Sequence, residues 1–469
     1  MIEELDQQIH HGDVAWSKDE FRDAVSFYNI VLQSSKADDN ELYIANTRKA
    51  SVLKEIGNYD KAMECLEDAC ALFDDIEDAW YNKGNIHSLI EDYDNSIMCY
   101  NRAMEINPNN ENTYNNRGCN YYFQEKYEQA LEDFEQALIL QPKFEQAFVN
   151  KGNALLKLEL FEEAIQCYDE ALKINENNYR AFSGKGLAYF KLEQNDEAIM
   201  CFNAALYQKE DLLDALFYKG VALFNIDILH EAEECFLRTV ELRDDLAQSY
   251  FYLGNIYSAR SKFPKAIEFL DLAIKHEDNY QEAWFNKAMM LSEHFDRHKE
   301  ALACFNELTK LNRHLAIGWL EKGKLLSNEF KDFDEALISL NNALNLEPEN
   351  ATILLELGKI HANYLKDPDM ATEFFNQALD LEEDPEIWFQ KGNLYGRHMG
   401  NFREAVACYD EALGLDPVHE KAWFNKGIAL GKLGNLEEKL SCIEKVLEIN
   451  PENEAAKKTK EKVLEELEM

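Results

Sequence analysis

The chain has 469 residues, of which 46% are hydrophobic and 12% aromatic, and its net charge is −41. This apolar content is enough to build a folded core, whereas the negative charge excludes nucleic-acid binding and adhesion to anionic lipid, which both need a basic surface. The acidic N-terminal stretch lacks a secretory core, and no apolar run reaches membrane-spanning length, so we expect a soluble cytoplasmic protein without membrane insertion.

The predicted elements follow a repeat anchored on glycine. Gly84 recurs every 34 residues, as Gly118, Gly152, Gly186, Gly220 and Gly254. In each repeat a small residue stands twelve positions after the anchor and a large one sixteen after, as Ser96 and Tyr100 do. Apolar residues within a repeat are spaced by three and four, which is helical. A fixed period of this kind predicts stacked pairs of helices along the whole chain, 1–469.

The repeats vary in regularity along the chain. Residues 5–74 hold two degenerate repeats, with Trp16 and Ala50 as the main departures, and residues 77–280 hold six regular ones. Residues 281–452 hold five more repeats. In the first four of these the small residue, an alanine, comes thirteen positions after the anchor instead of twelve. We place the added residue at the inner turn between the two helices.

The end of the chain, residues 453–469, reads as a charged capping helix with Val463 and Leu464 facing inward, because a terminal repeat must shield its apolar face. Eight of the ten cysteines occupy one place on the predicted second helices, Cys99 and Cys167 among them. Neighbouring repeats hold these cysteines too far apart for disulfides, so they are expected to be small core residues.

The repeated pattern of Trp80, Gly84, Tyr100, Ala103 and Pro108 resembles the tetratricopeptide repeat. The resemblance covers about residues 5–452 as thirteen repeats. It implies an all-α fold, a right-handed superhelical α-solenoid of antiparallel helix pairs. It further implies that the first helices line a concave groove, and that peptides or partner helices bind there.

Asparagines recur two residues before and one residue after the anchors, positions that face the groove in this family. The densest candidates for a peptide-binding site are Asn82, Asn85, Asn116, Asn150 and Asn153. Asparagine is a mediocre helix former, and its amide can pair with an extended peptide backbone. The alternative is that these amides only join neighbouring helices. The family's carboxylate clamp also needs cations beside Asn85 and Asn116, and the sequence places none there.

Aromatic side chains form a second candidate set on the groove side of the first helices. Its members are Tyr122, Phe190, Phe217, Phe224, Phe251 and Phe285. Because aromatic residues are enriched at interfaces, the set predicts binding of an amphipathic helix or an apolar strand. Packing within the array is the alternative interpretation.

Enzyme signatures are missing from the sequence, so we expect no catalytic residues, no cofactor and no metal site. His294 and His298 are spaced i,i+4, but two histidines without further ligands indicate turn residues. The predicted function is a non-catalytic scaffold that binds basic or amphipathic protein segments in its groove. The alternatives are a self-assembling homo-oligomeric scaffold and a substrate-recruiting subunit of a separately encoded enzyme.

Overall fold

The computed structural model describes residues 2–468, and their side chains from residue 5 onward. Met1 and Met469, the outermost residues of the predicted array and of its capping helix, lie outside these. Every regular element in the described part is helical, and consecutive helices pair antiparallel. The predicted all-α solenoid of helix pairs is confirmed. The chain separates into an N-terminal half, Met1–Asp244, and a C-terminal half, Asp245–Met469.

The N-terminal half contains seven helix pairs, counted over its described residues. Its helices are α1 (Ile2–Trp16), α2 (Phe21–Leu32), α3 (Asp39–Glu55), α4 (Tyr59–Leu72), α5 (Glu77–Leu89), α6 (Tyr93–Ile106), α7 (Glu111–Phe123), α8 (Tyr127–Leu140), α9 (Glu145–Lys157), α10 (Phe161–Ile174), α11 (Tyr179–Lys191), α12 (Asn195–Gln208), α13 (Leu213–Asn225) and α14 (Leu229–Leu242).

The C-terminal half contains six pairs and a final single helix, again over its described residues. Its helices are α15 (Ala247–Ala259), α16 (Phe263–His276), α17 (Gln281–Phe295), α18 (His298–Leu311), α19 (Ala316–Leu325), α20 (Phe333–Leu346), α21 (Ala351–Ile360), α22 (Pro368–Leu381), α23 (Pro385–Asn393), α24 (Phe402–Leu415), α25 (Glu420–Lys432), α26 (Leu436–Ile449) and α27 (Glu454–Glu468). Odd-numbered helices up to α25 are the first helices of the repeats.

The anchor glycine and the large residue sixteen positions later pack on each other within one repeat. A Cβ on Gly84 would lie 2.6 Å from Cε1 of Tyr100, whose ring is almost completely buried. The small residue between them, Ser96, is fully buried and donates a hydrogen bond from Oγ to the Gly84 carbonyl oxygen at 2.6 Å. Close packing of the two helices therefore requires the missing side chain, as the repeat pattern predicted.

Each first helix, together with any π-helical turn that continues it, is followed within three residues of its end by a residue in the left-handed conformation. In regular repeats this residue stands seven positions after the anchor, as Glu91 does with φ 61°, and the following amide of Asp92 bonds back to the His87 carbonyl oxygen at 2.9 Å. In the expanded repeats it stands eight positions after, as Lys331 does. The connection thus keeps its geometry, and the added residue is absorbed elsewhere.

The added residue lies in the first helix rather than in the inner turn, where we had placed it. Three expanded repeats convert the last turn of that helix into a π-helical segment. The segments are Leu326–Phe330, His361–Leu365 and Leu394–His398. A π turn accommodates one extra residue without changing where the chain leaves the helix.

The last helix, α27, buries Ala456 and Val463, which are 0% exposed, whereas Leu464 is 41% exposed. The expectation that Leu464 faces inward is therefore wrong. Helical spacing puts 456 and 463 on one stripe and turns residue 464 about 100° away from it.

All ten cysteines are free thiols. Of the eight that occupy the same place on the second helices, seven are buried, in agreement with their predicted role as core residues.

Candidate functional site

The asparagines of neighbouring repeats meet in pairs. The Oδ1 atom of Asn85 accepts hydrogen bonds from Nδ2 of Asn116 at 3.0 Å and from the Tyr100 hydroxyl at 2.7 Å. Thus the residue one position after an anchor contacts the residue two positions before the next anchor. We call each pair of these two positions a step. A step is closed when the two side chains are hydrogen-bonded to each other and open when they are not. In the C-terminal half, Asn286 donates to Asn255 at 2.8 Å and Asn425 to Asn393 at 2.7 Å, so these steps are closed in the same way.

A cysteine closes the step between repeats 4 and 5. Nδ2 of Asn150 lies 3.3 Å from Sγ of Cys119 and 2.9 Å from Oδ1 of Asn115. Burial raises the pKa of the Cys119 thiol to about 12, so it stays protonated at neutral pH.

The step between repeats 5 and 6 is open. Asn153 accepts a hydrogen bond from the Tyr168 hydroxyl at 2.7 Å, as Asn85 does from Tyr100. The residue that should reach Asn153 from the next repeat is Gly184, which has no side chain. The Tyr168 ring fills part of the space that one would need, since a Cβ on Gly184 would lie 2.4 Å from Cζ of Tyr168. Within the described residues, Oδ1 of Asn153 therefore lacks the second donor that Asn116 gives to Asn85, whereas Nδ2 has no hydrogen-bond partner in either asparagine.

A cleft of about 780 Å³ opens beside the Asn153–Gly184 step, between residues of repeats 4 to 7. Its lining residues are Tyr122, Asn153, Leu156, Lys157, Glu159, Phe161, Tyr179, Arg180, Ser183, Gly184, Leu187, Lys191, Phe202, Lys209, Leu212, Asp214 and Tyr218. A second cleft of about 400 Å³ shares Asn153, Tyr179 and Arg180 with it and adds Asn150 and Gln146. The first helices α9, α11 and α13 supply most of both surfaces.

The predicted asparagines have different surroundings. Asn150 and Asn153 line the clefts, whereas Asn82 donates to the carbonyl oxygen of Asp78 in its own helix at 2.9 Å. Asn85 and Asn116 bond to each other, which is what the helix-joining alternative requires. All five side chains are half-buried.

Of the predicted aromatic residues, only Tyr122 lines the clefts described above. Phe217 packs on Phe236 with ring centroids 5.9 Å apart, and Phe285 packs on Phe305 at 6.3 Å, each within its own repeat. The remaining three, Phe190, Phe224 and Phe251, are half-buried. The ring centroid of Phe190 lies 5.5 Å from that of Tyr218, and the centroid of Phe251 lies 5.0 Å from that of Tyr280. Packing inside the array accounts for these contacts of Phe217 and Phe285.

Sequence reasoning missed the residues that shape the cleft: Gly184, Tyr179, Arg180, Lys209 and Tyr218. One signal was present, because the position two before the anchor holds Asn82, Asn116 and Asn150 and then changes to Gly184. A break in a regular polar series indicates where a surface is left open. The cations carried no such signal, since only the fold brings them to one cleft.

The two histidines of the i,i+4 pair have separate environments. The His294 ring stacks on Phe263, and His298 lies 3.5 Å from a Glu329 carboxylate oxygen. Among the described residues, no group of three or more histidine, cysteine or acidic side chains is arranged to hold a metal ion. None of the described helices combines the length and the apolar character needed to cross a membrane.

Sequence profiles described as tetratricopeptide repeat match about half of the chain. The matched residues are 43–75, 75–142, 145–178, 179–212, 385–419 and 420–453. No curated protein sequence matches the chain.

Several solved structures are similar to this chain. The Cut9-Hcn1 hetero-tetramer of APC/C is 15% identical, with 98% of this chain and 96% of that one covered and a TM-score of 0.44. Yeast Tom70 is 17% identical, with 92% and 97% covered and a TM-score of 0.38. YrrB, described as a TPR protein with an unusual peptide-binding site, is 27% identical over 40% of this chain and 97% of its own, with a TM-score of 0.36.

Proposed function

We propose that this chain, which belongs to the tetratricopeptide repeat proteins, is a non-catalytic interaction scaffold. In this proposal it holds an extended segment of a partner protein. The segment lies across the first helices α9, α11 and α13, in the clefts around Asn153. The observation that carries this proposal is the open step at Gly184. It leaves the Oδ1 atom of Asn153 with one donor instead of two, and it leaves the Tyr122 and Tyr218 rings in the lining of the cleft.

The open step offers what an extended peptide needs. Nδ2 of Asn153 can donate to a peptide carbonyl oxygen, because its own Oδ1 already accepts from Tyr168. Tyr122 and Tyr218 present large, partly exposed rings on either side. Rings of this kind supply contact area at little cost in side-chain entropy. At the closed step Oδ1 of Asn85 accepts from both Tyr100 and Asn116, so the open step differs in having an acceptor that a peptide N–H can also reach.

A photo-crosslinking residue at position 122 tests the proposal in cells that make the protein. The matched control position is Met200 on the second helix α12, which is 71% exposed and lies outside the cleft. We expect position 122 to capture defined segments of partner proteins and position 200 to capture none of them. Equal capture at both positions would contradict a cleft-based function.

The substitution Gly184→Asn makes the test specific. It supplies at repeat 6 the residue type that completes the trio of Asn85, Tyr100 and Asn116. A Cβ at position 184 would lie 2.4 Å from Cζ of Tyr168, so the Tyr168 ring has to move to admit the new side chain. The added amide should donate to Oδ1 of Asn153, narrow the cleft at its centre and reduce capture at position 122. Unchanged helical content, measured by circular dichroism, would show that the loss is not due to unfolding.

A further inference from the structure

We infer that the cleft beside Gly184 takes an acidic, partly apolar peptide segment. The inference rests on the proposed function and names the chemical class of its ligand. It is the opposite of what the composition predicts, because a chain with a net charge of −41 should favour basic partners.

Four cations line this one cleft. They are Lys157 from α9, Arg180 and Lys191 from α11, and Lys209 from the connection after α12. Only two carboxylates, those of Glu159 and Asp214, share the lining. The local balance is therefore positive in a protein with 89 acidic and 48 basic side chains.

Among the described residues, none of these four cations forms an ion pair. Three lysines that directly precede anchors in the same half do form ion pairs: Lys83 with Glu67 at 3.5 Å, Lys151 with Glu135 at 2.8 Å and Lys185 with Asp169 at 2.6 Å. These pairs join each first helix to the preceding second helix. Most cations next to the anchors are thus neutralised by the array, whereas the cleft cations are left for a ligand.

Two of the four cations converge on one aromatic ring. The Arg180 guanidinium carbon lies 5.7 Å from the centre of the Tyr179 ring, and Nζ of Lys209 lies 5.3 Å from it. The ring attracts each cation and holds both beside the cleft. A peptide carboxylate that reaches either group would form a charge-assisted hydrogen bond with it.

The cleft also has an apolar side. Leu156, Leu187 and Leu212 contribute to its lining, together with the Tyr122 and Tyr218 rings. A segment that carries only acidic residues would leave these apolar side chains exposed to water. Acidic residues flanking a large apolar residue match both surfaces, because the apolar side chain is removed from water while the carboxylates face the cations.

Ionic screening makes the charges inside the cleft, rather than the net charge of the protein, determine which ligand the cleft attracts. At physiological ionic strength the field of an exposed charge falls off over about 8 Å, so acidic side chains far from the cleft contribute little inside it. A cation-lined cleft in the C-terminal half differs, because its Lys310 and Lys322 already pair with Glu307 and Glu335. Of the lysines and arginines in its lining, Arg313 alone forms no ion pair among the described residues.

The inference can be tested with a display library of short random peptides. Selection uses the full-length protein, and peptides that also bind the Gly184→Asn variant are discarded. We expect the enriched peptides to carry net negative charge and at least one large apolar residue. Enrichment of basic peptides that need the open cleft would overturn the inference while leaving the proposed function standing.

An enriched peptide, labelled with a fluorophore, then measures the role of the cations. The double substitution Arg180→Gln, Lys209→Gln should weaken its binding about tenfold. The matched control removes the same charge elsewhere in the half, with Arg102→Gln and Lys173→Gln, two cations that pair with Glu105 and Glu170. We expect the control to bind like the parent protein. An equal loss in both variants would overturn the inference, because overall charge would then explain the binding.

Discussion

The steps at repeats 3–4 and 5–6 are built from the same parts and differ by one side chain. At the first, Asn85, Tyr100 and Asn116 form a closed hydrogen-bonded set. At the second, Asn153 and Tyr168 keep the same bond, but Gly184 replaces the third member and a cleft appears. The difference teaches that a repeat protein can open a cleft beside a step by leaving out one internal contact.

The largest effect should come from the ring that both steps share. Tyr100→Ala and Tyr168→Ala each remove a fully buried side chain, and each should lower the local opening free energy by about 3–5 kcal/mol. Amide hydrogen exchange within α6 and α10 measures the effect repeat by repeat, which suits a long array that need not unfold in one step. Similar losses are expected at the two sites. A much smaller loss at Tyr168 would mean that the open step is already loosely packed.

Opening the closed step comes next in size. Asn116→Gly removes hydrogen bonds to Asn85 and to the Tyr81 hydroxyl and places glycine inside a helix, which together should cost about 2 kcal/mol. The control Asn116→Ala removes the same hydrogen bonds but introduces a better helix former than asparagine, so the difference between the two variants gives the helix cost of glycine. Exchange of α5 and α7 amides reports the change, and an unaltered opening free energy would show that the asparagine pair contributes nothing to stability.

Loss of the tyrosine hydroxyl should distinguish the two steps. Tyr100→Phe leaves Asn85 without one donor at a closed step and should cost about 1 kcal/mol. Tyr168→Phe should cost less, because water in the open cleft can replace the lost donor to Asn153. Thermal unfolding of the two variants, measured side by side, gives the order. The reverse order would indicate that the cleft is dry.

The smallest contrast concerns the thiols beside the two rings. Burial raises the pKa of Cys99 at the closed step and of Cys167 at the open step to about 11. Because the folded chain disfavours the thiolate, the stability that each thiol contributes is complete below the unfolded pKa near 8.5 and is lost as the pH rises toward 11. We expect stability to fall over this window and alkylation of both thiols to rise in parallel. Replacing both with alanine should flatten part of that fall.

Faster alkylation of Cys167 alone would contradict this expectation. It would show that the open step lets solvent reach the second helix as well as the first.

The sequence could predict the fold because each repeat places a small anchor residue and a large residue at the same separation. Gly84 and Tyr100 stand sixteen residues apart, and two helices joined by a short turn can bring residues at that separation together in only one way. The candidate site was less accessible to such reasoning. Asn85 and Asn153 occupy the same phase, and nothing local to either residue says that one is satisfied by its neighbour and the other is not.

The sequence by itself determined the helix pairs, their anchors and the burial of the cysteines, because these depend on periodic spacing within one repeat. The tertiary structure decided which amides are satisfied, where the added residue of the expanded repeats goes and which cations share a cleft. Those properties depend on contacts between residues about 30 positions apart on neighbouring helices. Lys157, Arg180 and Lys209 are unremarkable along the chain, and only the stacking of α9, α11 and α12 places them around one opening.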